Sequence, residues 1–405
     1  MKKIGIYNPY LDTRGGGEKV TLAMAEVLAK HGHTVRLITH GPVDIKGLGD
    51  YMGVDLSRVD IDVVELSSIA RFVHHLPLVP QGIKRLMADW TTFRTLRRKN
   101  YDVFINNCVD SRLPNPGRVG IYACMFPDKI GGAPANTPLK EMYRRFLRFL
   151  YRVLLRTGKK HAAFTYNLIT ANSRYTQAYI QDYWGVRSDI VYPMCDDMKS
   201  KKTIKKERII VSVGRFFENS GNNNHKRHDF LVETFADLKD LQAEGWELHL
   251  IGSVAEDIGG LKYILHLLRI AQGAPIYFHF NAPRKEVQEL YNRATIYWHA
   301  TGYGSDPQKY PDKQEHFGIT TVEAMSAGCV PIVIDSAGQR ESVDKNINGF
   351  LWKQKGDLQL QTRKVARMSG PEIAALQKAA RTKYVRFDRK NFEQSVMRTF
   401  DEVVS

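Results

Sequence analysis

The chain has 405 residues, 43% of them hydrophobic and 25% charged, which excludes a disordered chain and gives enough apolar side chains for two cores. The net charge is +16, and it is uneven: residues 1–200 carry 29 basic and 18 acidic side chains (+11), residues 201–405 carry 30 and 25 (+5). The first half therefore attracts anions, whether nucleic acid, an acidic membrane surface or a phosphorylated substrate. No apolar run approaches the ~18 residues of a spanning helix, and MKKIGIYNPYL is a first strand rather than a signal peptide. Cys108, Cys124, Cys195 and Cys329 lack the spacing of zinc or redox motifs, so no metal is expected, and they read as small buried residues suited to a reducing compartment.

In chain order, Lys3–Pro9 is a short apolar strand, Arg14–Gly17 a glycine turn, Glu18–His31 a helix and Thr34–Thr39 a second strand. Strand, glycine turn, helix, strand is the opening of a doubly wound α/β fold. Further strands are expected at Ile61–Leu66, Asp102–Asn106, Val119–Phe126, Asn167–Ala171 and Asp189–Tyr192, with Ser67–Lys99 helical in part. A lysine-rich link, Lys199–Lys206, leads to a second α/β unit. Its strands are expected at Arg208–Gly214, Glu247–Ile251, Ile276–Phe280, Ile296–His299 and Val330–Asp335. Its helices are expected at Asp229–Leu241, near Gly260–Ala271, at Pro283–Arg293 and at Gly318–Ala327. The domains are then 1–198, with a last helix at about 388–405 crossing back, and 207–387. Two such units put a ligand cleft between them, with ligands at the carboxyl ends of the strands.

Glu315 and Glu323 flank the start of a helix. With the helix beginning near Phe317, Glu315 precedes its N-terminus and Glu323 lies nearly two turns in. The free N–H groups of Phe317, Gly318 and Ile319, aided by the helix dipole, suit a diphosphate. Glu323 suits ribose hydroxyls. Spacing alone leaves open a plain reading, an acidic cap and a surface glutamate. The triplet Gly15–Gly17 lets backbone approach a phosphate or sugar, although a glycine turn between strand and helix is common. Arg215 and Lys226, in VSVGRF and KRHDFL, offer two cations to an anionic leaving group, against the alternative of an exposed basic loop.

These motifs share a resemblance. EHFGITTVEAMSAGCVPIV resembles the E-x-F-G-x(4)-E signature of retaining GT-B glycosyltransferases of the large family 4 (group 1). The H-F-G-I form is most similar to GDP-mannose-dependent mannosyltransferases of the dolichol pathway. Gly15–Lys19 resembles the family's G-G-x-E turn, VSVGRF its V-G-R strand end, and Asn172–Thr176 and Val191–Pro193 further strand ends. The resemblance implies two Rossmann-like domains facing a central cleft, with the catalytic residues Glu315, Arg215 and Lys226. It implies a nucleotide-sugar donor, GDP- or UDP-linked, held by Gly16, Gly17, Arg215, Lys226, Phe317, Gly318, Ile319 and Glu323. Glu315 would contact the donor sugar, Glu323 the ribose, and the two cations the diphosphate, with no cofactor and no metal. The loop Glu218–Asn224 is longer than the family's, so Lys226 and Arg227 both stand as the phosphate ligand. Met125 stands where many relatives carry a histidine, and His299, where relatives often carry another, is taken as structural.

Leu139–Lys160 is a basic amphipathic segment. Its apolar stripe (Met142, Tyr143, Phe146, Leu147, Leu150, Val153, Leu154) is expected in the core, with arginines free for anionic head groups or a phosphorylated acceptor, and Phe149 and Tyr151 leaning to the surface. The expected partners are a nucleotide-sugar and a glycan or lipid-linked acceptor, in the cytoplasm or peripherally at an anionic membrane. The alternatives are another GT-B enzyme, a phosphorylase or nucleotide-sugar epimerase, or a basic nucleic-acid-binding protein. Nothing marks a pyridoxal phosphate lysine, and no RNA-binding aromatic motif is present, so no nucleic acid is expected.

Overall fold

Runs of branched apolar residues bounded by turns make strands that are buried on both faces, the signature of an all-parallel sheet. In the computed structural model, which describes residues 1–13, 15–65, 67–130, 137–157, 161–217, 226–254 and 258–405, these runs form two such sheets. The chain divides into Met1–Tyr192 with Phe392–Ser405, and Pro193–Asn391.

The first unit holds β1 (Lys3–Tyr7), β2 (Thr34–Thr39), β3 (Val59–Val63), β4 (Val103–Asn106), β5 (Val119–Cys124), β6 (Leu168–Ala171) and β7 (Asp189–Ile190). Their order is β3-β2-β1-β4-β5-β6-β7, all parallel. The second unit holds β8 (Glu207–Val213), β9 (Glu247–Gly252), β10 (Ile276–Phe280), β11 (Ala294–His299), β12 (Val330–Ile334) and β13 (Phe350–Trp352). Their order is β10-β9-β8-β11-β12-β13, again all parallel. Counted from its own first strand, each sheet begins 3-2-1-4-5-6, the Rossmann order, so each has a switch point: between β1 and β4, and between β8 and β11.

Each sheet has its own core. In the first, Tyr7, Ile38, Phe93, Leu96, Tyr101 and Phe104 pack together. In the second, Phe230, Phe235, Leu248, Leu250, Trp298 and Trp352 do so. Trp298 is wholly buried, and its Nε1 donates to Thr362 Oγ1 at 3.1 Å, so the indole brings no unpaired donor into the core. All four cysteines are free and buried. Among the described residues no helix is long and apolar enough to cross a membrane.

Several elements depart from the sequence reading. The strand expected at Ile61–Leu66 is Val59–Val63, and Leu66 lies outside the described residues. Ser67–Lys99 is two helices, Ser68–His75 and Gln81–Arg98, because Pro77 and Pro80 interrupt the intervening backbone. Asp229–Leu241 breaks into His228–Ala236 and Lys239–Ala243, with Leu238 off the helical conformation and fully buried. The lysine-rich stretch set as a link belongs to the second unit. Met198 N donates to Ser326 Oγ (2.8 Å), Ser200 N to Asn292 Oδ1 (2.8 Å), and Lys206 Nζ to the carbonyls of Tyr291 and Ala327 at 2.9 and 2.8 Å.

The last helix, Arg389–Val404, returns the chain to the first unit. Phe392, Val396 and Phe400 are buried there, and the Phe400 ring lies 4.7 Å from that of His33. Phe400→Ala would leave a cavity in the first unit, and thermal or urea unfolding should register a loss of about 3–4 kcal/mol. A change under about 1 kcal/mol would mean that the helix is not part of that unit's core.

Candidate active site

The switch point of the second sheet is where a ligand is expected, and the candidate residues converge there. β8 ends at Val213 and runs on through Gly214 and Arg215, and β11 ends on His299. Gly214 lets the Lys226 side chain pass over the strand end, since a Cβ there would lie 2.7 Å from Lys226 Cγ. Lys226 Nζ then reaches Glu315 Oε2 at 2.6 Å, and His299 Nε2 reaches the same oxygen at 3.1 Å. The three side chains are only 23%, 15% and 3% exposed in the order Lys226, Glu315, His299.

Burial alone would push the Glu315 carboxyl up. The Lys226 ammonium and the His299 hydrogen bond outweigh it and hold the group well below the usual carboxylate range. His299 is pushed the other way: burial lowers its pKa against the pull of Glu315, so the ring is neutral and its Nε2 carries the proton donated to the carboxylate. His299 Nδ1 is then a buried lone pair with no hydrogen-bond partner among the described residues. Burial also holds the neighbouring His316 down at about 4, so it too is uncharged. Lys226 and His299 both bind Oε2 of Glu315, and among the described residues no hydrogen bond reaches Oε1.

The segment carrying Glu315 is fixed from behind by the loop after β12. Gly338 N donates to Glu315 O at 2.9 Å. Gly318 has φ +97, and a Cβ on it would lie 2.3 Å from Gln339 Nε2, so both the backbone and the packing require glycine. The helix begins at Ile319 with Gly318 as its cap, one residue later than the expected Gly318 start. Its uncommitted N–H groups therefore belong to Ile319 and Thr320, and not to Phe317. Phe317 is 3% exposed and packs edge-on against Phe387, with ring centroids 5.1 Å apart, so its side chain anchors the segment. Glu323 is buried on the same helix.

The other candidates separate. Arg227 is engaged by Asp229, with Nε to Oδ1 at 3.2 Å, and it is Lys226 that meets Glu315. Arg215 is exposed at the end of β8, its guanidinium 5.4 Å from the centroid of the Phe217 ring. Residues 218–224, the lengthened loop, lie outside the described residues, as does Arg14 of the glycine turn.

In the first unit, Gly16 and Gly17 open the helix Gly16–Lys30. Gly15 N is taken by Glu18 Oε2 at 2.7 Å, which leaves Gly16 and Gly17 as the N–H groups at the helix start. Thr21, on the first turns of that helix, accepts from Asn8 (2.9 Å) and Asn107 (2.7 Å), which follow β1 and β4 at the switch point of this sheet. Met125 fills the space beside Gly17, where a Cβ would lie 2.3 Å from the Met125 methyl. Gly338 and Gln339 are residues that sequence reasoning missed, and His299, taken there as structural, meets Glu315. The signal for His299 was its place as the last residue of a strand that neighbours β8.

Two Rossmann sheets in one chain, the second with a cation-paired carboxylate at its switch point, define the class as a GT-B glycosyltransferase. The family matches make this particular. The Glycosyltransferase Family 4 model matches residues 14–197 and the model of glycosyl transferases group 1 matches residues 195–382, so the chain belongs to these glycosyltransferases. The human protein named GDP-Man:Man(3)GlcNAc(2)-PP-Dol alpha-1,2-mannosyltransferase is 23% identical over 455 residues, covering 99% of this chain and 87% of its own. Among solved structures, a glycosyltransferase from Rickettsia africae ESF-5 matches with a TM-score of 0.65 at 16% identity, over 100% of this chain and 99% of its own. Anabaena Alr3699/HepE, solved in complex with UDP, matches with a TM-score of 0.64 at 16% identity, over 99% and 100%. At such identities the two structures speak to the fold.

Lys226→Met removes the cation nearest Glu315 and moves the carboxyl up towards its ordinary 4.5. A depressed carboxyl stabilises the fold above the unfolded-state value and loses that contribution as pH falls through the native value. The variant should therefore unfold more easily at neutral pH, by about 3 kcal/mol for a largely buried pair, and approach the wild type in acid. An equal deficit at both pH extremes, read by urea unfolding, would refute the pairing.

Proposed function

We propose that the chain transfers mannose from GDP-mannose to a glycan or lipid-linked acceptor, with retention at the anomeric carbon and without a metal ion. The observation that carries this reading is the Glu315 carboxylate, held ionised by Lys226 and His299 at the end of β11. Two things support the donor and acceptor: the H-F-G-I form of the motif, and relatives whose names specify GDP-mannose and a dolichol-linked glycan.

The donor diphosphate lies beside Arg215, Lys226 and the uncommitted N–H groups of Ile319 and Thr320, next to the side-chain-free Gly318. Gly16 and Gly17 keep the phosphate-facing role that the resemblance gives them, and Glu323 takes the ribose. As the bond from C1 to the diphosphate oxygen breaks, negative charge grows on the leaving group, and the two fixed cations offset it, filling the part a metal ion plays elsewhere. The acceptor oxygen bonds to C1 on the face the diphosphate leaves, and its proton passes to a diphosphate oxygen. Glu315 is a poor acceptor for that proton, because a carboxyl held so far below the usual range stays ionised. It acts instead through Oε1, binding a sugar hydroxyl and stabilising positive charge at C1. The same reading puts the chain at a cytoplasmic membrane face, where lipid-linked acceptors meet a soluble donor and the leaflet is anionic.

Glu315→Gln should lower turnover by about 10²–10³-fold while GDP affinity stays within about twofold, measured by sugar transfer and by calorimetry. Wild-type turnover in that variant would remove Glu315 from the chemistry. GDP should raise the thermal midpoint of the wild type more than UDP does at equal concentration. Stabilisation by UDP alone would overturn the guanine reading and leave the transfer reaction standing.

A further inference from the structure

The helix Pro138–Leu154 has two apolar faces, and protein covers one of them. On the inner face Leu147 is buried, and a side chain on Gly82 of the helix Gln81–Arg98 would run into Leu147 and Tyr143. Tyr151 is tied to the same helix by its hydroxyl, 2.9 Å from Asp89 Oδ2. The outer face carries Leu139, Met142, Phe146, Phe149 and Val153, which are 70%, 63%, 52%, 58% and 54% exposed. Their spacings of three and four residues put all five within about 80° of arc, a single stripe along the helix. The expected single core stripe is thus split. Met142, Phe146 and Val153 turn out to solvent with Phe149, while Tyr151, expected at the surface, turns in. Residues 158–160 lie outside the described residues.

Charge says what covers the outer stripe. The helix carries Lys140, Arg144, Arg145, Arg148 and Arg152 against one acidic residue, Glu141. Glu141 is already shared between Arg148 (2.9 Å) and Arg145 (3.5 Å). Arg145 and Arg152 run along one edge of the stripe, with Arg148 further round the helix. A second copy seated on it would bring an identical arginine row alongside, with no acidic row to answer it, whereas paired helices need complementary flanks. An anionic lipid surface answers both features, acyl chains for the stripe and phosphates for the arginines.

We infer that this face is a docking surface for an anionic bilayer, on which the helix lies in the plane of the interface. The helix Pro138–Leu154 holds no residue of the donor site, so its membrane binding can fail without the transfer reaction failing. The test is co-sedimentation of the full chain with vesicles of phosphatidylcholine mixed with phosphatidylglycerol, and with phosphatidylcholine alone. The wild type binds the mixed vesicles, more weakly in high salt, and binds the neutral ones poorly. Phe146→Ser with Phe149→Ser lowers the vesicle affinity at least about tenfold, with the thermal midpoint and nucleotide binding unchanged, since both rings are exposed. Should that pair fail to fold, Leu139→Ser with Val153→Ser makes the same test from the two ends of the stripe. Arg145→Gln with Arg152→Gln abolishes the preference for anionic vesicles. Failure of the wild type to bind anionic vesicles, or undiminished binding by the folded serine variants, overturns the inference. So does a dimer that the serine variants break in the absence of vesicle binding, which gives the stripe to a second copy.

Discussion

A carboxylate taken out of water must be paired or must give up its charge, and the ion pair between Lys226 and Glu315 decides which happens here. Much of the second unit is arranged around that contact. Gly214 is bare so that the lysine stem can cross the end of β8. His299 ends β11 within reach of the same oxygen. Gly338 holds the backbone of Glu315, and Gly318 turns the chain into the helix immediately afterwards. An open loop could not keep a carboxylate ionised at this depth. The parallel sheet can, because it brings two strand ends together at one point and leaves the connecting loops to supply the rest.

That arrangement also gives the carboxylate its chemical character. A glutamate in a greasy pocket becomes a proton carrier, whereas one flanked by an ammonium and an imidazole N–H becomes a fixed negative charge. The neutrality of His299 matters to the balance. A charged imidazolium beside Lys226 would put two cations on one carboxylate, whereas the neutral ring adds a hydrogen bond and leaves the cation count at one.

Both sheets were legible in the sequence because buried parallel strands are nearly uninterrupted apolar runs, and VFIN, VGIYAC, RIIVSV and VPIVI stand out from their polar surroundings. β13 was not, since three residues (Phe350–Trp352) carry no period. The helix at Ile319 is expected one residue early, at Gly318 and close to Phe317. Only the positive φ of Gly318 separates it from the helix, and φ is not written in the residue before a glycine. The Glu315 motif was visible by resemblance, but its ionisation was not, because that depends on Lys226 from 89 positions away in the chain and on His299, which the sequence reading takes as structural. The faces of Pro138–Leu154 were misread for a related reason. Periodicity shows that apolar residues share a side, and a helix with two apolar sides needs a neighbour, here Gly82, to say which one is covered.

The return of the last helix has a consequence for how the chain is made. The first unit is the first to leave the ribosome, yet Phe392, Val396 and Phe400, which complete its core, are translated after the whole of Pro193–Asn391. Until then it must persist with an open apolar seat, during an interval set by the rate of synthesis rather than by its own folding. The second unit is continuous and can close as soon as Asn391 has emerged. A two-unit chain of this kind thus completes its N-terminal half only after its second unit has been made.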